Sequence, residues 1–245
     1  VNEAPKITIS SSGDLAFNKA PDYESVASFS GIVTASDGLN GTLQSIQVNI
    51  VDANDSAPVI TSNPIFNVQE NQTSIGTVTA TDPEDDAVAF TISGSELLIS
   101  SAGVLTFAVA PDYETKTSYT ATVTASDGTN STNQNITVNV TNLNDNSPVF
   151  TSGTTFSAAE NQTSIGTVVA SDADGEVLSY SVSGTDASSM SINSSSGVLV
   201  FNLSPDYETK TSYMATVTAS DGTNATSQNI TVNVTNLNDN SPVFT

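Results

Sequence analysis

Residues 118–141 read SYTATVTASDGTNSTNQNITVNVT. Tyr119, Ala121, Val123 and Ala125 alternate with Thr120, Thr122, Thr124 and Ser126, so apolar side chains fall on one face of an extended chain. Ile136, Val138 and Val140 repeat the device, with Thr137, Asn139 and Thr141 toward solvent. The Ser-Asp-Gly-Thr-Asn stretch between them is turn chemistry. Two half-buried strands joined by a turn, with no sustained helical period elsewhere, predict an all-β protein.

Self-comparison extends this hairpin into an array. Pro111–Thr151 and Pro205–Thr245 differ at only three positions, Thr120 against Met214, Ser131 against Ala225 and Asn133 against Ser227, which marks a recent duplication. The offset there is 94 residues, whereas Glu70-Asn71-Gln72-Thr73 recurs as Glu160-Asn161-Gln162-Thr163 at an offset of 90. A four-residue insertion is expected around Asp186 to Ser189 in the third repeat. An earlier copy carries Ala20-Pro21-Asp22-Tyr23-Glu24 and Ala35-Ser36-Asp37-Gly38 but lacks the segment that would hold counterparts of Glu70 and Asp82. A period of 90 to 94 residues suits one small β-sandwich per repeat. The expected divisions are 1–53, a partial repeat without its first strands, 54–143, 144–240, and 241–245 as the opening of another repeat. The chain reads as a window cut from a longer array; the alternative is a half-domain completed by strands from a neighbour.

Charge decides what such an array could bind. The chain has 26 acidic residues against four basic ones, no His and no Cys, for a net charge of −22. Phosphate binding needs clustered Lys and Arg, so nucleic acid is excluded as a partner, and an anionic membrane surface with it. Without sulfur or imidazole there are no disulfides, the usual zinc ligands are missing, and most base-assisted nucleophiles lack their base. No run approaches the length of a membrane helix, so no direct membrane insertion is expected of this segment.

The acidic residues recur at fixed places in each repeat: a Glu before Asn-Gln-Thr, an Asp-Tyr-Glu, a Ser-Asp-Gly, an Asp near the end of the second strand and an Asn-Asp at the boundary. Loops at the ends of a sandwich cluster in space, and carboxylates brought together there repel by about 1 kcal/mol per pair at about 4 Å even in water. A hard divalent cation removes that cost. Calcium, with six to eight oxygen ligands in flexible geometry, fits better than magnesium, which demands a tight octahedron.

With these elements in this order, the chain resembles tandem cadherin-like repeats, in the style of bacterial extracellular surface proteins. The resemblance implies Greek-key, immunoglobulin-like sandwiches in an extended rod, Ca2+ as the cofactor at about three ions per junction, and an extracellular or cell-surface location. Carried over by motif, the junction between repeats two and three would use Glu70, Asp112, Glu114, Asn142, Asn144, Asp145 and the Asn146 carbonyl, then Asp172, Asp174 and Asp221. The preceding junction would use Asp22, Glu24, Asp52, Asn54, Asp55 and the Ser56 carbonyl, then Asp82, Glu84 and Asp127. Glu160, Asp206, Glu208, Asn236, Asn238 and Asp239 would form a downstream half-site, with Asp37 a remnant of an upstream one. Asn142 and Asn236 depart from the motif by replacing its first linker Asp, and Glu84 by replacing the second Asp of an Asp-x-Asp element. The lost charge at Asn142 predicts lower affinity.

The implied function is a calcium-rigidified structural or adhesive segment, a spacer or stalk, and not an enzyme. Its partners would be calcium together with copies of itself, another surface protein or a glycan. The competing reading is a carbohydrate-binding accessory module, which six Tyr and no Trp serve poorly as an aromatic platform. Asn-x-Ser/Thr sequons, among them Asn71, Asn135, Asn139, Asn161, Asn229 and Asn233, offer glycosylation sites.

Overall fold

The alternating run of residues 118–141 is a long hairpin in the computed structural model, which describes residues 4–241. Of the expected further repeat at 241–245, residues 242–245 lie outside the described residues.

Among the described residues, twenty-two strands carry the fold. The first repeat contributes β1 (Ile7–Ile9), β2 (Leu15–Phe17), β3 (Ser28–Ser36) and β4 (Gly41–Asn49). The second contributes β5 (Val59–Ile60), β6 (Ile65–Gln69), β7 (Ser74–Thr77), β8 (Ala80–Thr81), β9 (Ala89–Ile92), β10 (Leu97–Ile99), β11 (Val104–Phe107), β12 (Ser118–Ser126) and β13 (Ser131–Thr141). The third repeats that order as β14 (Val149–Phe150), β15 (Thr155–Ala159), β16 (Ser164–Thr167), β17 (Ala170–Ser171), β18 (Ser179–Ser183), β19 (Met190–Ile192), β20 (Val198–Phe201), β21 (Ser212–Ser220) and β22 (Ala225–Thr235). Among the described residues the one helical element is a 3-10 turn at Ala187–Ser189, and no helix is long and apolar enough to cross a membrane.

The chain divides into two compact units, Val1–Asp112 with Lys116–Thr141 and Tyr113–Thr115 with Asn142–Thr245. In the first, the second repeat forms a four-stranded sheet in the order β6-β13-β12-β9 and a three-stranded sheet in the order β10-β11-β7. β6 pairs parallel with β13, bringing the second strand of the repeat beside its last one. The second unit repeats this with β15-β22-β21-β18 and β16-β20-β19.

The pleat sorts the side chains as the sequence pattern requires. Val123, Ile136 and Val138 are at most 1% exposed, and each such side chain contributes about 1.5–3 kcal/mol by leaving water. On the outer face the Thr122 hydroxyl donates to Asn135 Oδ1 at 2.8 Å, and Thr124 to Asn133 Oδ1 at 2.7 Å. Cross-strand polar pairs of this kind occupy the wet side of the sheet. Phe107 meets Tyr119 edge to face at 5.0 Å between ring centroids, and Phe201 meets Tyr213 likewise at 4.9 Å. The Tyr of each long strand thereby closes one end of a small core.

The first repeat has counterparts only of β10 to β13. Its strands pair as β1-β2 and β3-β4 alone, and none of residues 4–53 is fully buried. The phenylalanine contact persists there, since Phe17 stacks edge to face on Phe29 at 4.9 Å.

The expected four-residue insertion is divided in two. Ala89 and Ser179 hold equivalent places at an offset of 90, Leu97 and Met190 at 93, and Leu105 and Leu199 at 94. Three added residues thus lie between β18 and β19, where they form the 3-10 turn, and the fourth enlarges the turn between β19 and β20.

Candidate metal sites

Three separate groups of loops gather carboxylates at strand ends. In the first unit, Glu24, Asp55 and Glu84 each offer a carboxylate oxygen within 4.8 Å of the others. Asp82 is 9% exposed and opens the loop between β8 and β9. Its Oδ1 accepts the backbone N–H of Glu84 at 3.0 Å and of Asp86 at 3.3 Å, which leaves Oδ2 buried without a hydrogen-bond partner. Both Glu84 oxygens are buried and equally unpartnered. Asp127 follows β12; its Oδ1 accepts the N–H groups of Thr129 and Asn130, both at 2.6 Å, while Oδ2 is buried with no partner. The Asn130 amide then reaches Asn54 Oδ1 at 2.8 Å and the Ser56 carbonyl at 3.0 Å. Asp22 is turned toward Ser25, whose hydroxyl it accepts at 2.9 Å.

The second unit has the same device around the linker that follows β13. Glu114, Asp145 and Asp174 lie within 4.8 Å by their carboxylate oxygens, as do Asp172, Asp174 and Glu176. Asp174 Oδ2 accepts the backbone N–H groups of Asp145 at 3.0 Å and Asn146 at 2.7 Å, and the Asn146 side-chain amide reaches Asp174 Oδ1 at 2.9 Å. Asn142 donates to the Asp174 carbonyl at 2.9 Å, leaving its own Oδ1 buried and unpartnered. Asp221 accepts from Thr223 and Asn224, both at 2.6 Å, and Asn224 donates to Asn144 Oδ1 at 3.2 Å and the Asn146 carbonyl at 3.1 Å. Glu70 and Asp112 belong to the first unit, where Glu70 is 3% exposed at the end of β6.

A third group at the far end of the second unit joins Glu160, Asp206 and Glu208. Glu160, 2% exposed, accepts the N–H of Tyr207 at 2.9 Å and of Leu237 at 2.6 Å. Asn236 donates to Glu208 Oε1 at 3.0 Å, and Asn161 to Asp239. Asn238 and Asp37 are exposed, and Asp37 accepts the backbone N–H groups of Leu39 and Asn40.

Electrostatics separates two kinds of carboxylate. Burial pushes Asp221 upward, but the N–H groups of Asn224 and Thr223 and the amides of Asn224 and Asn144 outweigh it and hold the group below its ordinary value. Asp127 is held low in the same way through Asn130, Thr129 and Asn54, and Asp174 through Asn146 above all. Glu24 behaves oppositely: its own backbone amide lowers it, but partial burial and the Asp22 and Asp52 carboxylates raise it. Glu176 is raised by burial and by Asp174, Asp172 and Asp221.

Ten buried side-chain atoms lack a hydrogen-bond partner among the described residues. Eight of them are the oxygens of Asp82, Glu84, Asp127, Asn142, Asp172, Glu176 and Asp221 at these two linkers, Ser62 and Gln134 supplying the others. Buried carboxylate oxygens without donors are costly, and a bound cation satisfies several of them at once. Acceptor-only donors in this number, with no sulfur or imidazole, fit a hard cation.

A family model described as Cadherin domain matches residues 154–235. The chain is made of cadherin-like repeats. Across 260 residues it is 32% identical to the protocadherin-like wing polarity protein stan of Drosophila melanogaster, covering 92% of this chain and 7% of that protein. It is 33% identical to human protocadherin Fat 4 over 270 residues, 95% of this chain and 5% of the relative. The solved structure of protocadherin gamma B2 extracellular cadherin domains 3–6 superposes with a TM-score of 0.77 at 27% identity, over 96% of this chain and 63% of that one. The cadherin-like chain thus spans a small part of the length of its curated relatives. These relatives are animal proteins, and the expected likeness to bacterial surface repeats finds no support in them.

Two sets of residues about these cadherin-like linkers escaped the sequence reading. Asn130 and Asn224 hold the linkers in place, and their signal was the Asn that ends Ser-Asp-Gly-x-Asn in every repeat. Glu176 joins Asp172 and Asp174, and its signal was a third acidic residue at the same spacing.

Proposed function

We propose that this chain is a calcium-binding, adhesive or spacing segment of a larger extracellular protein, built from repeats at 1–53, 54–143 and 144–240, in which ion binding stiffens the linkers. What supports the reading above all is the concentration of unpartnered buried carboxylate oxygens at the two linkers. In the first unit Asp22, Glu24, Asp52, Asp55, Asp82, Glu84 and Asp127 would hold calcium, with the Asn54 side chain and the Ser56 carbonyl as neutral oxygens. In the second, Glu114, Asp145, Asp172, Asp174 and Asp221 would do so with Asn142, Asn144 and the Asn146 carbonyl. Glu160, Asp206, Glu208, Asn236, Asn238 and Asp239 would contribute to a further site, and Glu70 and Asp112, in the first unit, would also be calcium ligands.

The ion supplies positive charge and six to eight coordination positions. Linker residues 52–56 have few apolar side chains to pack and are exposed or half-buried, so shared coordination would tie them to Glu24 and Glu84. Binding would add RT ln(1 + [L]/Kd) to stability at each independent site, about 2.7 kcal/mol at 100 Kd. Cadherin and protocadherin relatives place the segment outside the cell, and its adhesive partner would be a copy of itself, another surface protein or a glycan.

Calorimetric titration of the full chain with calcium, paired with hydrogen exchange of residues 52–56 and 142–146, tests this. Saturable binding with slowed exchange in both linkers is expected. An absence of binding at millimolar calcium would refute the reading.

A further inference from the structure

The loop after β17 reads Asp172-Ala173-Asp174-Gly175-Glu176, and its last residue has no place in the motif that assigns the other ligands. The Glu176 carboxylate nevertheless lies within 4.8 Å of those of Asp172 and Asp174. Gly175, at φ +86°, turns the chain between them. Glu176 Oε2 is buried with no partner, as are Asp172 Oδ2 and Asp221 Oδ2. A carboxylate on an exposed loop with nothing to hold it would extend into water; this one is turned inward, toward three of its own sign.

The equivalent loop of the second repeat distributes its acids differently. There Asp82-Pro83-Glu84-Asp85-Asp86 places the long side chain at Glu84, both of whose oxygens are buried, and Asp86, the counterpart of Glu176, is exposed. The linkers differ as well. The first has Asp52 where the second has Asn142, whose amide is engaged with the Asp174 carbonyl at 2.9 Å and whose Oδ1 is neutral. One negative charge is lost from the second linker, and the loop that faces it, with three acidic residues where the second repeat's loop has four, turns its last one inward instead of leaving it exposed.

Resting on the calcium reading above, we propose that Glu176 is a further ligand of the divalent-cation site in the second unit and supplies the charge that Asn142 lacks. The substitution at Asn142 then relocates a carboxylate and does not by itself weaken the site.

The test compares the full chain with its Glu176→Gln and Asp86→Asn variants by calcium calorimetry and by melting with and without calcium. Glu176→Gln is expected to weaken one class of sites about tenfold, since a charged ligand of a divalent ion is replaced by a neutral one. Its calcium-free melting temperature should hold or rise, because repulsion is relieved; a residue with only a structural role would lower it. Asp86→Asn should titrate as the parent does. Adding Asn142→Asp to Glu176→Gln should regain affinity, and failure to do so overturns the compensation. Glu176→Gln binding like the parent, or no worse than Asp86→Asn, overturns the ligand assignment while leaving the calcium reading intact. No binding by the parent chain would remove that reading itself.

Discussion

Asn130 donates its side-chain amide to Asn54 Oδ1 at 2.8 Å and to the Ser56 carbonyl at 3.0 Å, so the turn after β12 grips the linker 74 and 76 residues earlier in sequence. Asn224 makes the corresponding contacts to Asn144 and Asn146. The two oxygens gripped in each case are ones the proposed site would use. Under the proposed function Asn130 would be a positioning residue, pre-setting the linker for the ion, and preorganisation of this kind lowers the ordering cost of binding.

Asn130→Ala should then cost about 1 kcal/mol of stability, the net worth of a hydrogen bond or two, and weaken calcium binding about fivefold. Hydrogen exchange in residues 54–56 should quicken in the calcium-free variant. Unchanged exchange and affinity would show that the linker is held by other means.

A second prediction concerns Asp186, which sits beside the 3-10 turn and away from the acidic groups. It pairs with Lys210, whose ammonium also lies 4.6 Å from the Tyr213 ring centroid, and it accepts the Met214 N–H at 2.8 Å. The Lys210 contact, first, and then the Met214 N–H hold its carboxyl below the ordinary value. A depressed carboxylate contributes stability that is present above its unfolded value and is lost as pH falls through the folded one. Asp186→Ala should therefore lower stability by about 1 kcal/mol at neutral pH, with the difference fading below the usual carboxylate range, and leave calcium affinity unchanged. Denaturant titrations at neutral and acidic pH measure the first, and calorimetry the second. A loss of calcium binding equal to that of Asp145→Ala would mean that overall acidity, and not the arrangement of ligands, governs the sites.

Backbone geometry supplies a third. Gly103 has φ +85°, and a Cβ there would stand 2.2 Å from the Val78 carbonyl oxygen; Gly197 repeats this at φ +68° and 2.1 Å from that of Val168. Both faults are in main chain, which cannot swing aside. Gly103→Ala should cost about 2–4 kcal/mol, while Gly128→Ala, at φ +98° with open space around it, should cost about 1 kcal/mol. Equal losses at the two positions would refute the close approach.

These residues show what could be read from the chain alone. The pairs Tyr119 with Val138 and Ala121 with Ile136 follow from period-two alternation, which depends only on neighbours along the strand. Repetition made the acidic positions visible for the same reason, since copies can be compared without knowing what they touch. Asn130 and Glu176 were hidden because their roles depend on where loops far apart in sequence meet. An Asn closing a turn looks like turn chemistry, and a Glu on an exposed loop looks like solvated charge, until the chain brings Asn54 to one and Asp172 to the other. The insertion was placed as a single block because sequence offsets cannot show that a turn one step downstream absorbed one of its four residues.

The last prediction joins calcium to pH. In the ion-free chain Glu24 and Glu176 are raised above 4.5, chiefly because partial burial and neighbouring carboxylates disfavour their charged forms, the effect of Glu24's own backbone amide notwithstanding. A raised folded value means that stability is fully present at pH below the unfolded value and is lost as pH rises through the folded one. At neutral pH both groups therefore strain the ion-free protein, and mild acid should relieve it. Asp127, Asp174 and Asp221, held below 3.8, stay charged over that interval and do not oppose the gain. With calcium present the sign reverses, because ligands must be deprotonated to bind and protons compete with the ion. Metal-stripped protein should melt no lower at pH 5 than at pH 7, whereas protein in calcium should melt lower at pH 5, as binding weakens. Scanning calorimetry at both pH values, with and without calcium, measures all four states. A calcium-free chain that loses stability on going from pH 7 to pH 5 as fast as the loaded one would show that these glutamates do not titrate against their neighbours.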